Sequence, residues 1–237
     1  MSAKPLEGKL ALVTGASRGI GAATAEALAA AGAHVILTAR TTGGLEEVEE
    51  RIHSAGGHAT IAPLDLTEGD SIARLATAIS GRWDALDVLV LNAAMLGTLT
   101  PVTAIDAKEF NKILTLNLLS QQAMLTAFDP MLRKSSNARV FAVTSSVGAA
   151  PRAYWGAYGA SKAALETLVL AYGEEVKNIS NIRTAIIDPG ATATAMRAKA
   201  FPGEDVSTIK QPGAVGSRIA ALAAQDLETG YRERVEA

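Results

Sequence analysis

Residues 10–21 read Leu-Ala-Leu-Val-Thr-Gly-Ala-Ser-Arg-Gly-Ile-Gly. Residues 10–14 are a short, mostly apolar run of strand length, and they pass directly into a turn built on Gly15, Ser17, Arg18, Gly19, Ile20 and Gly21. Residues 21–31 follow with alanine-rich, helix-forming composition. Glycines permit a tight turn and close approach of backbone to a ligand. The start of the helix presents unpaired N–H groups and a positive dipole end, which suits a pyrophosphate. A glycine-rich turn alone is weak evidence, but between a first strand and a first helix it points to a dinucleotide. The spacing is T-G-x-x-x-G-x-G rather than G-x-G-x-x-G.

Outward from this stretch, short apolar runs alternate with longer helical patterns almost to the end of the chain. Strands are expected at 10–14, 34–39, 59–62, 87–91, 139–144 and 183–187. Their apolar residues run on instead of alternating, as in strands buried on both faces. Helices are expected at 21–31, 45–55, 70–82, 107–133 and 157–176, with Pro130 bending or ending the fourth. Gly32 and the Gly56–Gly57 pair stand where helices should stop. This β-α alternation predicts an α/β fold with a doubly wound parallel sheet, formed by residues 1–237 as one domain. Residues 191–212 break the pattern with Pro202, Gly203 and Pro212, after the last buried strand. Ligands of open α/β sheets bind beyond the carboxyl ends of the strands, so this segment is a candidate substrate loop.

Composition excludes several classes of function. The 237 residues carry 22 Lys+Arg against 24 Asp+Glu, a net charge of −2. That balance gives no footprint for nucleic acid or an anionic membrane. Cysteine is absent, which removes disulfides, thiol nucleophiles and Cys-ligated metals, and fits a reducing cytoplasm. Residues 1–9 lack the apolar core of a signal peptide, and the uncharged stretch 88–105 contains Asn92, Gly97 and Pro101, which rules against a bilayer span. His34, His53 and His58 lack metal-ligand spacing, so no metal site is expected.

Tyr158 and Lys162 stand four apart in AYGASKAALETL, on one face of a helical pattern. An ammonium near a phenol lowers its pKa by ~1–3 units from ~10. That brings a tyrosine towards acid–base duty near neutral pH. Ser145 lies thirteen residues before Tyr158 and begins Ser-x-x-Gly, with Ser146 as the adjacent alternative. The set comprising TGASRGIG at 14–21, Asn92, Asn117, Ser145, YGASK at 158–162, and Pro189-Gly190 followed by Thr194 resembles the classical short-chain dehydrogenases/reductases. The resemblance runs from about Lys9 to Gly230. It departs from the family's Asn-Asn-Ala-Gly at Leu91 and Ala94, which flank Asn92 and Ala93. The chain also stops soon after Gly230 in a charged end.

The resemblance implies a Rossmann-type sheet of seven strands in order 3-2-1-4-5-6-7. It implies Tyr158 as general acid or base, Lys162 on the nicotinamide ribose, Ser145 on the substrate oxygen, and Asn117 anchoring a proton-relay water. Asp65 and Leu66 would lie near the adenine, and Asn92, Ala93, Pro189, Gly190, Thr192 and Thr194 along the cofactor. NAD-specific folds place an acid at the end of the second strand, roughly 20 residues after the glycines. Here Ala39 and Arg40 stand there, and Arg40, with Arg18, suits a 2′-phosphate, so NADP(H) is expected over NAD(H). Met95, Leu96, Val147, Ala153, Tyr154, Trp155, Met196 and Phe201 are expected around an apolar carbonyl or alcohol substrate, with Arg152 and Arg197 as surface residues. The resemblance further implies a homodimer or homotetramer built on 157–176 and 107–128. An epimerase or dehydratase of the same fold, or a cofactor-sensing binding protein, are the alternatives to an oxidoreductase.

Overall fold

Parallel pairing joins seven strands in the order β3-β2-β1-β4-β5-β6-β7. They are β1 (Leu10–Thr14), β2 (His34–Ala39), β3 (His58–Pro63), β4 (Val88–Leu91), β5 (Arg139–Val143), β6 (Arg183–Asp188) and β7 (Tyr231–Arg234). The computed structural model describes residues 4–236; the first three residues of the charged N-terminal stretch and Ala237 lie outside the described residues. The helices are α1 (Gly19–Ala30), α2 (Thr42–Ser54), α3 (Ser71–Ser80), α4 (Ala107–Leu114), α5 (Ser120–Leu132), α6 (Ser146–Ala149), α7 (Gly156–Val176), α8 (Ala195–Ala200) and α9 (Pro212–Ala223).

Successive strand residues feed opposite faces, which explains the unbroken apolar runs. From β1, Ala11 and Val13 enter a core shared with α1, α2 and α9. Leu10 and Leu12 enter a second core shared with α3, α5 and α7. Strands buried on both faces need apolar residues at every position, as in β4, where all of Val-Leu-Val-Leu is buried. The sheet order reverses between β1 and β4, so the crevice beyond their carboxyl ends is the topological switch point.

Several boundaries differ from the sequence pattern. β3 extends to His58 and Pro63, beyond 59–62. α1 and α2 begin two and three residues earlier than the apolar periodicity indicates, because each first turn is made of glycines and small residues without a periodic signal. The single helix expected over 107–133 is interrupted. Thr115–Leu119 forms a π-turn between α4 and α5, with Ser120 N–H donating to Thr115 O. Pro130 lies inside α5, and the helix continues two residues past it to Leu132. The charged terminal strand β7 alternates half-buried and exposed residues. Ion pairs anchor it: Arg232 to Glu166 of α7 at 2.6 Å, and Glu233 to Arg218 of α9 at 2.6 Å. The parallel register also stacks His34 beside His58, two residues far apart in the chain.

Candidate active site

At the switch point one buried threonine joins the two strand ends. Thr14 Oγ1 donates to Val90 O at 3.1 Å and accepts from Asn92 N–H at 2.9 Å and Ala93 N–H at 3.0 Å. Asn92 answers with Nδ2 donated to Thr14 O at 2.8 Å. Parallel strands diverge at their ends, and these bonds hold the loops after β1 and β4 together where the ladder stops. Asn92 thus shapes the glycine turn with its side chain. Thr14 opens the T-G-x-x-x-G-x-G motif, and its hydroxyl's partners 76–79 residues away are visible only in the fold.

The turn requires its glycines. Gly15 has φ +66°, and a Cβ there would come within 3.0 Å of Ala93 Cα. A Cβ on Gly21 would lie 2.2 Å from Gly15 O, so the start of α1 folds directly against the turn. Arg18 precedes α1 in extended conformation without a side-chain cap. The first intrahelical bond is Ala22 N–H to Arg18 O, and the N–H groups of Gly19, Ile20 and Gly21 have no acceptor among the described residues. Such orphan donors at a helix start form an anion site.

Arg40, after β2, is 72% exposed and lies 3.9 Å from Asp65. Asp65 Oδ1 accepts from Thr67 N–H at 2.9 Å and Thr67 Oγ1 at 2.7 Å. These hydrogen bonds, with Arg40 beside them, outweigh desolvation and hold the Asp65 carboxyl below the usual range. Leu66 is buried, and its carbonyl is within 2.9 Å of Ser120 Oγ. On the far side of the glycines, Thr192 Oγ1 donates to Pro189 O at 2.9 Å, and Thr194 caps α8 by accepting from Arg197 N–H at 3.1 Å. Thr194 also reaches the glycine turn, since a Cβ on Gly19 would lie 3.5 Å from its Cγ2.

Tyr158 and Lys162 lie on the inner face of α7, 7% and 2% exposed. The structure corrects the expectation that the ammonium depresses the phenol pKa. Lys162 Nζ donates to Val143 O at 2.8 Å and stands 5.7 Å from the Tyr158 ring centroid. Burial, with Asp188 adding to it, pushes the Tyr158 phenol up from its ordinary value. Burial pulls the Lys162 ammonium down to about 8, opposed by Glu166. Lys162 makes one hydrogen bond among the described residues, so two of its three donors face no protein acceptor.

Ser145 precedes α6 in extended backbone, half-buried like Ser146. Gly159 lets α6 approach, since a Cβ there would lie 2.9 Å from Val147 O. Asn117 sits in the π-turn, fully buried. Its carboxamide accepts from Met95 N–H at 2.8 Å and donates to Met95 O at 2.9 Å and Ser161 Oγ at 3.0 Å. Ser161 in turn donates to Tyr158 O at 2.7 Å. The Asn117 side chain is therefore spent on protein contacts.

Leu96, Val147 and Tyr158 form a small third core, with Leu99, Trp155, Met196 and Ala200 packed on it. Trp155 meets Tyr158 edge-on at 6.0 Å and Phe201 at 5.7 Å. Arg197 stacks on Phe201 at 3.7 Å and pairs with Glu204, so its charge is internally matched. Lys199 Nζ donates to Gly97 O at 3.2 Å, tying α8 to the loop after β4. Tyr154 is 60% exposed with φ +73°, a strained backbone for a bulky residue. Leu99, Ala200 and Lys199 escaped the sequence pattern because only tertiary packing brings them to the site.

Comparison with known proteins gives a consistent picture. A family model described as short chain dehydrogenase matches residues 9–205. An uncharacterized oxidoreductase of Escherichia coli, YciK, is 35% identical over 210 residues, covering 87% of this chain and 82% of its own length. A fatty acyl-CoA reductase of Acinetobacter baylyi is 37% identical over 172 residues, covering 72% of this chain and 58% of its own length. A solved short chain dehydrogenase of Escherichia coli, complexed with NADPH, superposes with TM-score 0.94 at 33% identity over 100% of both chains.

Proposed function

The chain belongs to the short-chain dehydrogenase family, and from that premise we propose that it is an NADP(H)-dependent oxidoreductase acting on a carbonyl or secondary alcohol carbon. The observation that carries this reading is the fully buried Lys162 ammonium. It has two unspent donors and stands beside Tyr158, in a fold whose glycine turn also carries orphan N–H groups. A buried cation with unspent donors is costly unless a ligand completes it.

These residues fit a dinucleotide phosphate. The free N–H groups of Gly19, Ile20 and Gly21 suit the pyrophosphate. Arg40, exposed and held only by a 3.9 Å pair with Asp65, suits a 2′-phosphate, with Arg18 beside the turn. The NADPH complex of a relative at 33% identity supports that choice. Asn92 and Ala93, with Pro189, Gly190, Thr192 and Thr194, are assigned to the cofactor walls.

When bound, NADP(H) gives or takes the hydride. In the reducing direction Tyr158 donates its phenolic proton to the substrate oxygen, and Ser145 donates a hydrogen bond to that oxygen as charge gathers on it. Lys162 binds the ribose hydroxyls with the donors that its bond to Val143 O leaves unspent. The apolar set of Leu96, Val147, Trp155, Met196 and Phe201 excludes water and fits a substrate with an apolar body. Residues 191–212 serve as the substrate loop of a single domain. Among the described residues no helix is long and apolar enough to cross a membrane. The cysteine-free sequence supports a cytoplasmic enzyme.

A screen of aldehydes, ketones and alcohols that follows NADPH absorbance tests this. Net cofactor turnover is expected. Product without net cofactor change would favour an epimerase or dehydratase, and binding without product a cofactor sensor.

A further inference from the structure

Gln121 is the second residue of α5, one turn after Asn117, and is fully buried. Its Nε2 donates to two backbone carbonyls, Leu116 O at 2.8 Å and Ala93 O at 3.1 Å. Its Oε1 has no partner among the described residues. A buried carboxamide left half-satisfied costs stability, so a purely structural account leaves this residue unexplained.

The two carbonyls belong to different parts of the site. Leu116 lies in the π-turn that carries Asn117. A π-turn removes carbonyls from the regular helical ladder, and such turns gather at functional sites. Two side chains reach its carbonyls: Ser120 Oγ is 2.8 Å from Thr115 O, which also takes the Ser120 N–H, and Gln121 donates to Leu116 O. Ala93 lies in the loop after β4, in contact range of Gly15.

That loop is therefore gripped at two points from one helix. Gln121 holds Ala93 O, while Asn117 holds both the N–H and the carbonyl of Met95. Between them, the N–H of Ala94 has no acceptor among the described residues. In a trans peptide the carbonyl and the following N–H point in opposite directions, and no cis bond occurs among the described residues. With Ala93 O drawn to Gln121, the Ala94 N–H is turned away from α5.

We propose that Gln121 is a positioning residue for dinucleotide binding: it fixes the Ala93–Ala94 peptide so that the Ala94 N–H is presented to an oxygen of the bound cofactor. This rests on the NADP(H) reading above. Gln121 acts through the peptide and touches no reacting atom. It also couples the cofactor loop to the π-turn, so that Asn117, Ser161 and the Tyr158 backbone are aligned with the same loop.

The test compares wild type, Gln121→Leu, Gln121→Glu and the exposed neighbour Gln122→Leu by NADPH fluorescence titration, with Tm measured for each. Gln121→Leu is expected to weaken NADPH binding about tenfold, the loss of roughly one positioned hydrogen bond. Gln122→Leu should bind like wild type. Gln121→Glu supplies a readout that a merely structural role does not move. Its protonated acid can still donate to Ala93 O, whereas its carboxylate cannot. Burial raises the pKa of the introduced carboxyl, so relative to wild type at the same pH its NADPH affinity should be near normal at about pH 6 and about tenfold weaker at about pH 10.

If Tm falls but both variants bind NADPH within twofold of wild type at both pH values, Gln121 is structural only and the proposal is overturned. Should Gln121→Leu not fold, the pH dependence of Gln121→Glu decides alone. Wild type that fails to bind NADPH would overturn the underlying cofactor reading, a result distinct from normal binding by the variants.

Discussion

The Lys162 ammonium donates to the carbonyl oxygen of Val143 at 2.8 Å, tying the inner face of α7 to the last residue of β5. The bond places a full charge inside the protein, 2% exposed, with a single protein acceptor among the described residues. The pKa near 8 against an ordinary 10.5 records the cost of that burial.

Replacing this lysine should separate stability from function. Because the folded pKa lies below the unfolded one, the unfolded chain binds more protons between them, and stability rises with pH across that window. Below about 8 the buried cation costs on the order of 3 kcal/mol relative to an unshifted lysine. Apo Lys162→Met should therefore be at least as stable as wild type in urea at pH 7, and its advantage should shrink as pH rises from about 8 to 10.5. The same variant should lose turnover and bind NADPH more weakly. A variant less stable than wild type at pH 7 would mean that the Val143 hydrogen bond outweighs desolvation.

Tyr158→Phe keeps the ring that packs against Leu96, Val147 and Trp155 and deletes only the hydroxyl. Loss of a general acid costs typically 10²–10⁴-fold, roughly, in kcat. NADPH affinity should stay within about twofold and Tm nearly unchanged, since the packed ring is kept. Activity within tenfold of wild type would falsify the acid–base role.

Cofactor choice hangs on Arg40. Its guanidinium is 72% exposed and its pair with Asp65 is long, so it is available to a 2′-phosphate. Arg40→Asp removes a charge-assisted contact of about 1.5–3 kcal/mol and adds repulsion. The ratio of kcat/KM for NADPH over NADH should fall by roughly 10–100-fold, and further with Arg18→Ala added. An unchanged ratio in the double variant would show Arg40 to be a bystander.

Phe201 joins Trp155 on one side and Arg197 on the other, so it is the piece of the 191–212 segment that meets the aromatic wall. Phe201→Ala should raise kcat/KM for bulky carbonyls relative to small ones. KM for small apolar substrates should rise several-fold, because buried aromatic contact contributes about 0.5–1.5 kcal/mol beyond area. Equal effects on both substrate sizes would remove Phe201 from the pocket wall.

Leu119 ends the π-turn 57% exposed, on the segment proposed to pair with α7 between subunits. We propose that a second copy of the chain covers it, which would take this apolar side chain out of water. Light scattering should give a dimer or tetramer for wild type and a smaller species for Leu119→Lys. A monomeric wild type at micromolar concentration ends the oligomer proposal.

Local chemistry made much of this molecule legible without coordinates. Strands buried on both faces leave continuous apolar runs, and glycines at 15, 19 and 21 mark a turn no other residue could make. The i, i+4 spacing of Tyr158 and Lys162 places both on one helical face whatever surrounds them. These features are short-range, so sequence order alone decides them. Tertiary structure decided where the polar groups spend their hydrogen bonds. Thr14 and Asn92 meet across 78 positions, Gln121 and Ala93 across 28, and Lys162 reaches Val143 instead of the phenol. Such bonds depend on which distant carbonyl is left unpaired when the sheet closes, and no periodicity in the chain encodes that.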